Sequence, residues 1–144
     1  MNMIKYVVGF LFDPEMNKVV LIWKNRPEWQ KGFLNGVGGK IEKDEEPSFA
    51  MKREFEEEAG LEINDWVEFA DIKGSDYICH FFYALSHKIY AVSKKTDEEL
   101  IIADTFTIPE LHVIENLKWL IPMCKDKAFK LSGNLLKSTI EYGI

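Results

Sequence analysis

With 144 residues, of which 47% are hydrophobic and 13% aromatic, the chain carries enough apolar content for one sizeable core, and a single domain over residues 1–144 is the expectation. A net charge of -6 and a sequence pI of about 5.1 argue against a surface built to neutralise a nucleic acid polymer or to adhere to an anionic membrane. Small anionic ligands stay within reach if metal ions supply the positive charge.

β-Branched and aromatic residues dominate 3–12 and 18–24, and the turn-forming stretch 13–17 between them predicts an opening β-hairpin. The apolar run 6–12 stops at Asp13-Pro14, too early to span a membrane, and no small-residue cleavage site follows, so the cytoplasm is the expected location. A polar loop, 25–31, leads to 32–39, where four glycines in eight residues imply that something approaches the backbone closely. Pro47 suits the first position of a helix and Gly60 the position just past its end. Met51, Phe55 and Ala59 would form the buried stripe of that helix, with Glu54, Glu57 and Glu58 on another face.

Beyond the helix, 66–72, 77–84 and 87–92 read as strands, followed by an acidic loop at 96–99. Pro109-Glu110-Leu111 has the composition of a helix start, and a helix through 117–121 would be disturbed by Pro122. The tail, 129–142, is ambiguous, with Ser132-Gly133-Asn134 suited to turning a last hairpin. Cys79 and Cys124 stand far apart without a C-x-x-C pair, which points to reduced core thiols rather than a zinc knuckle or disulfide.

Residues three and four apart share a helix face, so Glu54, Glu57 and Glu58 are expected within a few ångströms of one another. Each like-charge pair at that spacing costs roughly 0.2–0.5 kcal/mol, and the helix dipole adds to the penalty near a C-terminus. A solvated acidic face is the plain explanation for a glutamate-rich helix. Hard dications such as Mg²⁺ offer another, because they favour clustered carboxylate and carbonyl oxygens and bind substrate phosphates at the same time.

Segment 39–61 decides between them, since it resembles the Nudix box, G-x5-E-x7-R-E-U-x-E-E-x-G-U with U apolar, at every specified position: Gly39, Glu45, Arg53, Glu54, Phe55, Glu57, Glu58, Gly60 and Leu61. The resemblance implies an α/β Nudix fold, a mixed β-sheet sandwiched between α-helices. It further implies a hydrolase that uses Mg²⁺, or Mn²⁺ in its place, with Glu54, Glu57, Glu58 and the Gly39 carbonyl as metal ligands. By the same likeness Glu45 would serve an outer site and Arg53 would orient the glutamates. The general base would be Glu54, with Glu98 or Glu99 on the acidic loop as the other candidates, or as a third metal ligand; a merely solvated turn is the competing account of those two.

Upstream, 33–40 is similar to a segment of MutT-like oxidised-purine nucleoside triphosphatases in the family. That likeness implies a nucleoside triphosphate substrate, 8-oxo-dGTP or another purine nucleotide, cut to nucleoside monophosphate and pyrophosphate. Asn35 would then bond the purine edge, unless it only eases the turn before Gly36. Lys40 and Arg26 are the cations placed to grip phosphate. Trp23, Trp29, Phe33 and Trp119 are candidates for base stacking or for core, and Asn116 resembles a base-contacting position in some relatives. Segment 75–77 lacks the proline of ADP-ribose hydrolases, while Tyr77 lies where dinucleoside polyphosphate hydrolases carry a tyrosine. A dinucleoside polyphosphate or another diphosphate-linked nucleotide is the alternative substrate, and a nucleotide-binding module without turnover is the alternative role. Relatives of this type occur as monomer or homodimer.

Overall fold

The structure, a computed structural model, describes residues 3–129 and 137–142. Strand β1 (Ile4–Phe12) is its organising element, because two strands share one of its edges and a third takes the other. Near its end Phe12 pairs with Val19 of β2 (Lys18–Trp23), which closes the expected hairpin over 13–17. Asp13 holds that turn by accepting from the N–H groups of Asn17 and Lys18, both at 2.8 Å. Along the same edge, Tyr6 to Gly9 pair antiparallel with β4 (Val37–Lys40), preceded by the two-residue β3 (Leu34–Asn35) on β2.

On the other edge β1 runs parallel to β6 (Tyr77–Leu85), from Ile4 against Tyr77 to Phe12 against Leu85. β6 pairs antiparallel with β5 (Val67–Lys73), which in turn runs parallel to β8 (Ser138–Glu141), while β7 (Leu100–Asp104) pairs with β2. The described strands therefore form one mixed sheet of eight.

Alternation along β1 sends Val7 and Leu11 to one face and Phe10 and Phe12 to the other, as the period of two demands. Helix α1 (Pro47–Ala59) covers the first face with Ala50, Met51, Phe55 and Ala59, and Phe55 packs on Trp66 with ring centroids 5.2 Å apart. It begins at Pro47 and ends at Gly60 in the left-handed conformation, φ 75°, where the Gly60 N–H donates to the Glu56 carbonyl. Helix α2 (Leu117–Ala128) covers the second face with Leu117, Leu120, Ile121 and Cys124. The sheet is thus sandwiched between helices, as the box resemblance implied.

Three local expectations change. Residues 87–92 are not a strand: His87–Ala91 is a 3-10 helix, capped where Ser86 accepts from the Lys88 N–H, and Ile89 is its one buried residue, so no alternating face exists. Pro109-Glu110-Leu111 closes a 3-10 turn, Thr105–Glu110, instead of opening a helix. Pro122 does not stop α2, because the buried stripe on both sides of it holds the helix to the sheet despite one missing N–H donor. The proposed turn at Ser132-Gly133-Asn134 lies outside the described residues. Among the described residues no helix is long and apolar enough to cross a membrane.

Phe55 is wholly buried between helix and sheet. Phe55→Ala should therefore lower unfolding stability by about 3–5 kcal/mol in urea denaturation with little change in the slope of the transition.

Candidate active site

Arg53 projects from the middle of α1 and has all five of its N–H donors engaged. Its Nε and one terminal nitrogen clasp Glu45 at 2.7 and 2.9 Å, and that nitrogen also donates to the Lys40 carbonyl at 3.1 Å. The remaining nitrogen donates to Glu54 Oε1 at 2.9 Å and to Glu57 Oε2 at 3.4 Å. The fork thus ties the loop before α1, the end of β4 and two helix carboxylates into one unit, in the way its planar geometry favours. Arg53 beside it holds the Glu45 carboxyl below its ordinary range, and both Glu45 oxygens are committed. Glu45 thus braces Arg53.

Glu54 and Glu58 point inward from the same helix face. The Glu54 carboxylate presses against β4, where a Cβ on Gly39 would lie only 2.5 Å from it, so the absence of a side chain at 39 is what admits it. Burial pushes the Glu54 carboxyl above its ordinary value although Arg53 pulls it down. Glu58 is pushed up to about 7 by burial above all, with Lys24 lowering it and Glu54 and Glu98 raising it. Its Oε2 is buried without a hydrogen-bond partner. Glu57 stays largely in solvent, with its side chain 57% exposed.

The three carboxylates are close but not converged: among the described residues the triad whose ligand atoms all lie within 4.8 Å is Glu68, Asp71 and His80, on another part of the sheet. Mutual repulsion and the pull of Arg53 on two of the three account for the spread. A hard dication suits this donor set, because Glu58 offers an unpartnered buried oxygen and Glu54 faces a side-chain-free strand.

The acidic loop divides. Glu98 is almost fully buried, accepting from Lys24 Nζ at 3.1 Å and from the Asn25 N–H at 2.5 Å, which overturns the solvated-turn account for this residue. Glu99 does fit that account, exposed and paired with Lys94. Lys24 had no signal in the sequence; only the pairing of β2 with the loop reveals it as a half-hidden cation set between Glu98 and the glutamates of α1.

A cavity of about 1010 Å³ opens beside these groups, bounded by Gly38, Gly39, Lys40, Lys24 and Asn35 at one side and by Tyr6, Val8, Cys79 and Phe81 along its floor. Asn35 lies on its wall, where Oδ1 accepts from the Gly36 N–H at 2.8 Å and Nδ2 donates to Gln30 at 2.9 Å. One N–H and one lone pair of the amide are left over. Asn116 sits on the same cavity at the start of α2, makes no capping bond, and leaves Oδ1 buried without a partner.

Arg26 lines the mouth with its guanidinium turned bidentately onto Asp97, while Lys40 is exposed at the end of β4 and enters no ion pair among the described residues. Trp29 and Phe33 reach the cavity, Phe33 stacked on His112 at 4.1 Å; Trp23 packs against the core, and Trp119 is partly exposed on α2 and does not line the cavity. Tyr77 borders the cavity too, so it is not simply a strand residue in the core. Both cysteines are free thiols, Cys124 in the core and Cys79 on the cavity floor.

The sequence model of the NUDIX domain matches residues 3–123. Among solved structures the chain is similar to a MutT from the pair Aliivibrio salmonicida and Vibrio cholerae, with TM-score 0.73 and 20% identity over 84% of this chain and 95% of the other. The Bacillus halodurans MutT aligns with TM-score 0.69 and 17% identity over 97% and 90% of the two chains. At such identities these likenesses establish the shared fold. A methanol dehydrogenase activator from Bacillus methanolicus is 36% identical over 88 residues, which are 57% of this chain and 48% of that protein, so the chain matches about half the length of this curated relative.

Because the folded value of Glu58 lies above the ordinary 4.5, folding favours its protonated form; that stability is full below about 4.5 and is lost as pH rises through about 7. In EDTA-treated protein, Glu58→Gln should flatten this slope and raise stability at pH 8 by on the order of 2 kcal/mol in chemical denaturation, with no gain at pH 4.

Proposed function

Since the chain belongs to the Nudix family of phosphoanhydride hydrolases, we propose that it is a Mg²⁺-dependent pyrophosphohydrolase that cuts a purine nucleoside triphosphate, 8-oxo-dGTP among the candidates, to nucleoside monophosphate and pyrophosphate. The observation that carries this reading is the buried, unpartnered Oε2 of Glu58, whose neighbours Lys24 and Gly38 line a cavity large enough for a nucleotide. Burying a carboxylate oxygen without a donor is costly, and a bound cation is the physical remedy.

In this reading Glu54, Glu57, Glu58 and the Gly39 carbonyl hold the ion, and Glu98 stands behind them as a further acidic group. Bound there, Mg²⁺ would screen the phosphate oxygens and stabilise the charge that develops on the leaving group. Arg53 keeps Glu54 and Glu57 at their stations and thereby fixes the site before substrate arrives. Glu54 acts as the general base: its Oε1 is tied to Arg53, so Oε2 is the oxygen left to take the proton of the attacking water. As that water bonds to phosphorus, the bridging P–O bond breaks and its electron pair leaves with the departing phosphate. Glu98 serves less well as base because both its oxygens already accept hydrogen bonds.

Lys40 supplies a point charge to the phosphates from the rim. The base lies over the floor of Tyr6, Val8, Cys79 and Phe81, where apolar side chains suit a planar ring. Asn116 takes the role expected of Asn35, since its free amide oxygen would accept from an N–H on the ring edge.

A panel of nucleoside triphosphates assayed for pyrophosphate release should give Mg²⁺-dependent turnover with purines that EDTA abolishes, and a silent panel would refute the assignment. Glu57→Gln should cut kcat by about a hundredfold or more while leaving the fold intact. Saturating Mg²⁺, at about a hundred times its Kd, should stabilise the parent by about 3 kcal/mol and that variant by much less.

A further inference from the structure

The cavity does not end at the groups assigned to the base. Register places Lys40, Tyr6, Cys79, Ile72 and Ile140 in one line across β4, β1, β6, β5 and β8. At about 4.8 Å per strand that row is on the order of 19 Å long. The next row on the same face holds Ile4, Tyr77, Gly74 and Tyr142: Ile4 pairs with Tyr77, the Gly74 N–H donates to the Tyr77 carbonyl at 3.0 Å, and the Tyr142 N–H donates to the Lys73 carbonyl at 3.0 Å.

A Cβ on Gly74 would clash with the ring of Tyr77, so the missing side chain at 74 is what lets that ring lie toward β8. There burial above all, and then the nearby Tyr142, Cys79 and Asp76, push the Tyr77 phenol above its ordinary value. Tyr77, Tyr142, Asp76, Ile4 and Ile72 all border the cavity at this end.

Tyr142 directly follows β8, and this strand lies beyond the stretch matched by the NUDIX model, which ends at residue 123. It is fastened to the sheet by more than its four-residue ladder. Lys137, just ahead of it, reaches Asp71 at 2.9 Å and Glu68 at 3.3 Å, and Glu68 also meets His80 Nδ1 at 2.7 Å. Asp71 is almost wholly buried while Lys137 stays 39% exposed, so the clasp is shielded from solvent on its carboxylate side only.

We propose that Tyr142 is a specificity-determining residue which, with Tyr77, forms a ring-binding subsite at the far end of the cavity, and that Lys137 positions it by clasping β8 onto β5. The ligand chemistry is a planar heteroaromatic ring with polar groups on its edge: two phenol faces offer stacking, and the Tyr77 hydroxyl and Asp76 meet the polar edge. That ring is either the second base of a dinucleoside polyphosphate or, in place of the seat over Tyr6, Val8, Cys79 and Phe81, the base of a nucleoside triphosphate. The inference rests on the proposed hydrolase for its kinetic readout and on binding for its independent one.

The decisive comparison measures KM and kcat for a purine nucleoside triphosphate and a dinucleoside polyphosphate, and Kd for the same compounds by calorimetry in Ca²⁺, in the parent, Tyr142→Ala, Tyr142→Phe, Lys137→Met and Lys137→Arg. Tyr142→Ala should raise KM and Kd about tenfold, the scale of one lost stacking partner, with kcat within about twofold. Tyr142→Phe keeps the ring and should stay within about twofold of the parent. Lys137→Met should reproduce the KM effect and Lys137→Arg should restore the parent value, with thermal melts confirming that each variant is folded. An effect on both compounds assigns the subsite to the nucleoside triphosphate base, and an effect confined to the dinucleotide assigns it to the second base. Unchanged KM and Kd for both in Tyr142→Ala, or no nucleotide binding by the parent, overturns the proposal. If the parent binds these compounds but turns none over, the hydrolase reading fails while the Kd values still decide the role of Tyr142.

Discussion

Carboxylates at 45, 54, 57 and 58 repel one another, and a chain that gathers them must supply a fixed opposing charge in the same space. Arg53 is that charge. Its five donors are distributed over Glu45, Glu54, Glu57 and the Lys40 carbonyl, so the loop that enters α1, the helix itself and the strand bearing Gly39 cannot shift independently. Lysine could supply the charge but not the simultaneous angles, since its three donors radiate from one point. The same fork leaves Glu58 out, and Glu58 is the box carboxylate whose ionisation the fold resists most.

The inner end of the site is balanced differently. Lys24 and the Asn25 N–H neutralise Glu98, leaving Glu58 and Glu54 to share what positive potential remains. Such a pocket is strained toward protonation when it holds only protein groups and relaxes when a cation enters, which trades stability for a prepared binding site. The gap left by glycine at 39 belongs to the same economy of space, for it lets a carboxylate rest directly on a sheet strand.

What could be read from the amino-acid order alone followed the range of the interactions involved. Helix α1 was legible to its ends because Pro47, Gly60 and the stripe Met51, Phe55, Ala59 act within a few turns. The box glutamates were legible because their spacing is itself the motif. Contacts between distant segments were not: nothing near Lys24 announces Glu98, and nothing in 87–92 says that Ser86 will cap a 3-10 turn where β-branched residues suggest a strand. The two asparagines show the limit well. Asn35 and Asn116 have the same chemistry, and only the folded chain reveals that Gly36 and Gln30 bond to one amide while the other keeps an idle oxygen. The parallel β5–β8 pair depends on a clasp between residues 66 positions apart, Asp71 and Lys137, which no local pattern encodes.

The pair formed by Arg26 and Asp97 has a further meaning at the cavity mouth. Both side chains are more than half exposed, so water and salt screen their attraction and the bond contributes little to stability. Asp97 nevertheless holds the guanidinium extended, with its flat fork already sorted into a two-pronged grip. For the hydrolase proposed above, an arriving oxyanion of higher charge would take over that grip for little energy, and the abandoned Asp97 would simply be rehydrated. The ion pair at the entrance would then serve as a parking place for a cation, keeping it straight and ready while committing it to nothing.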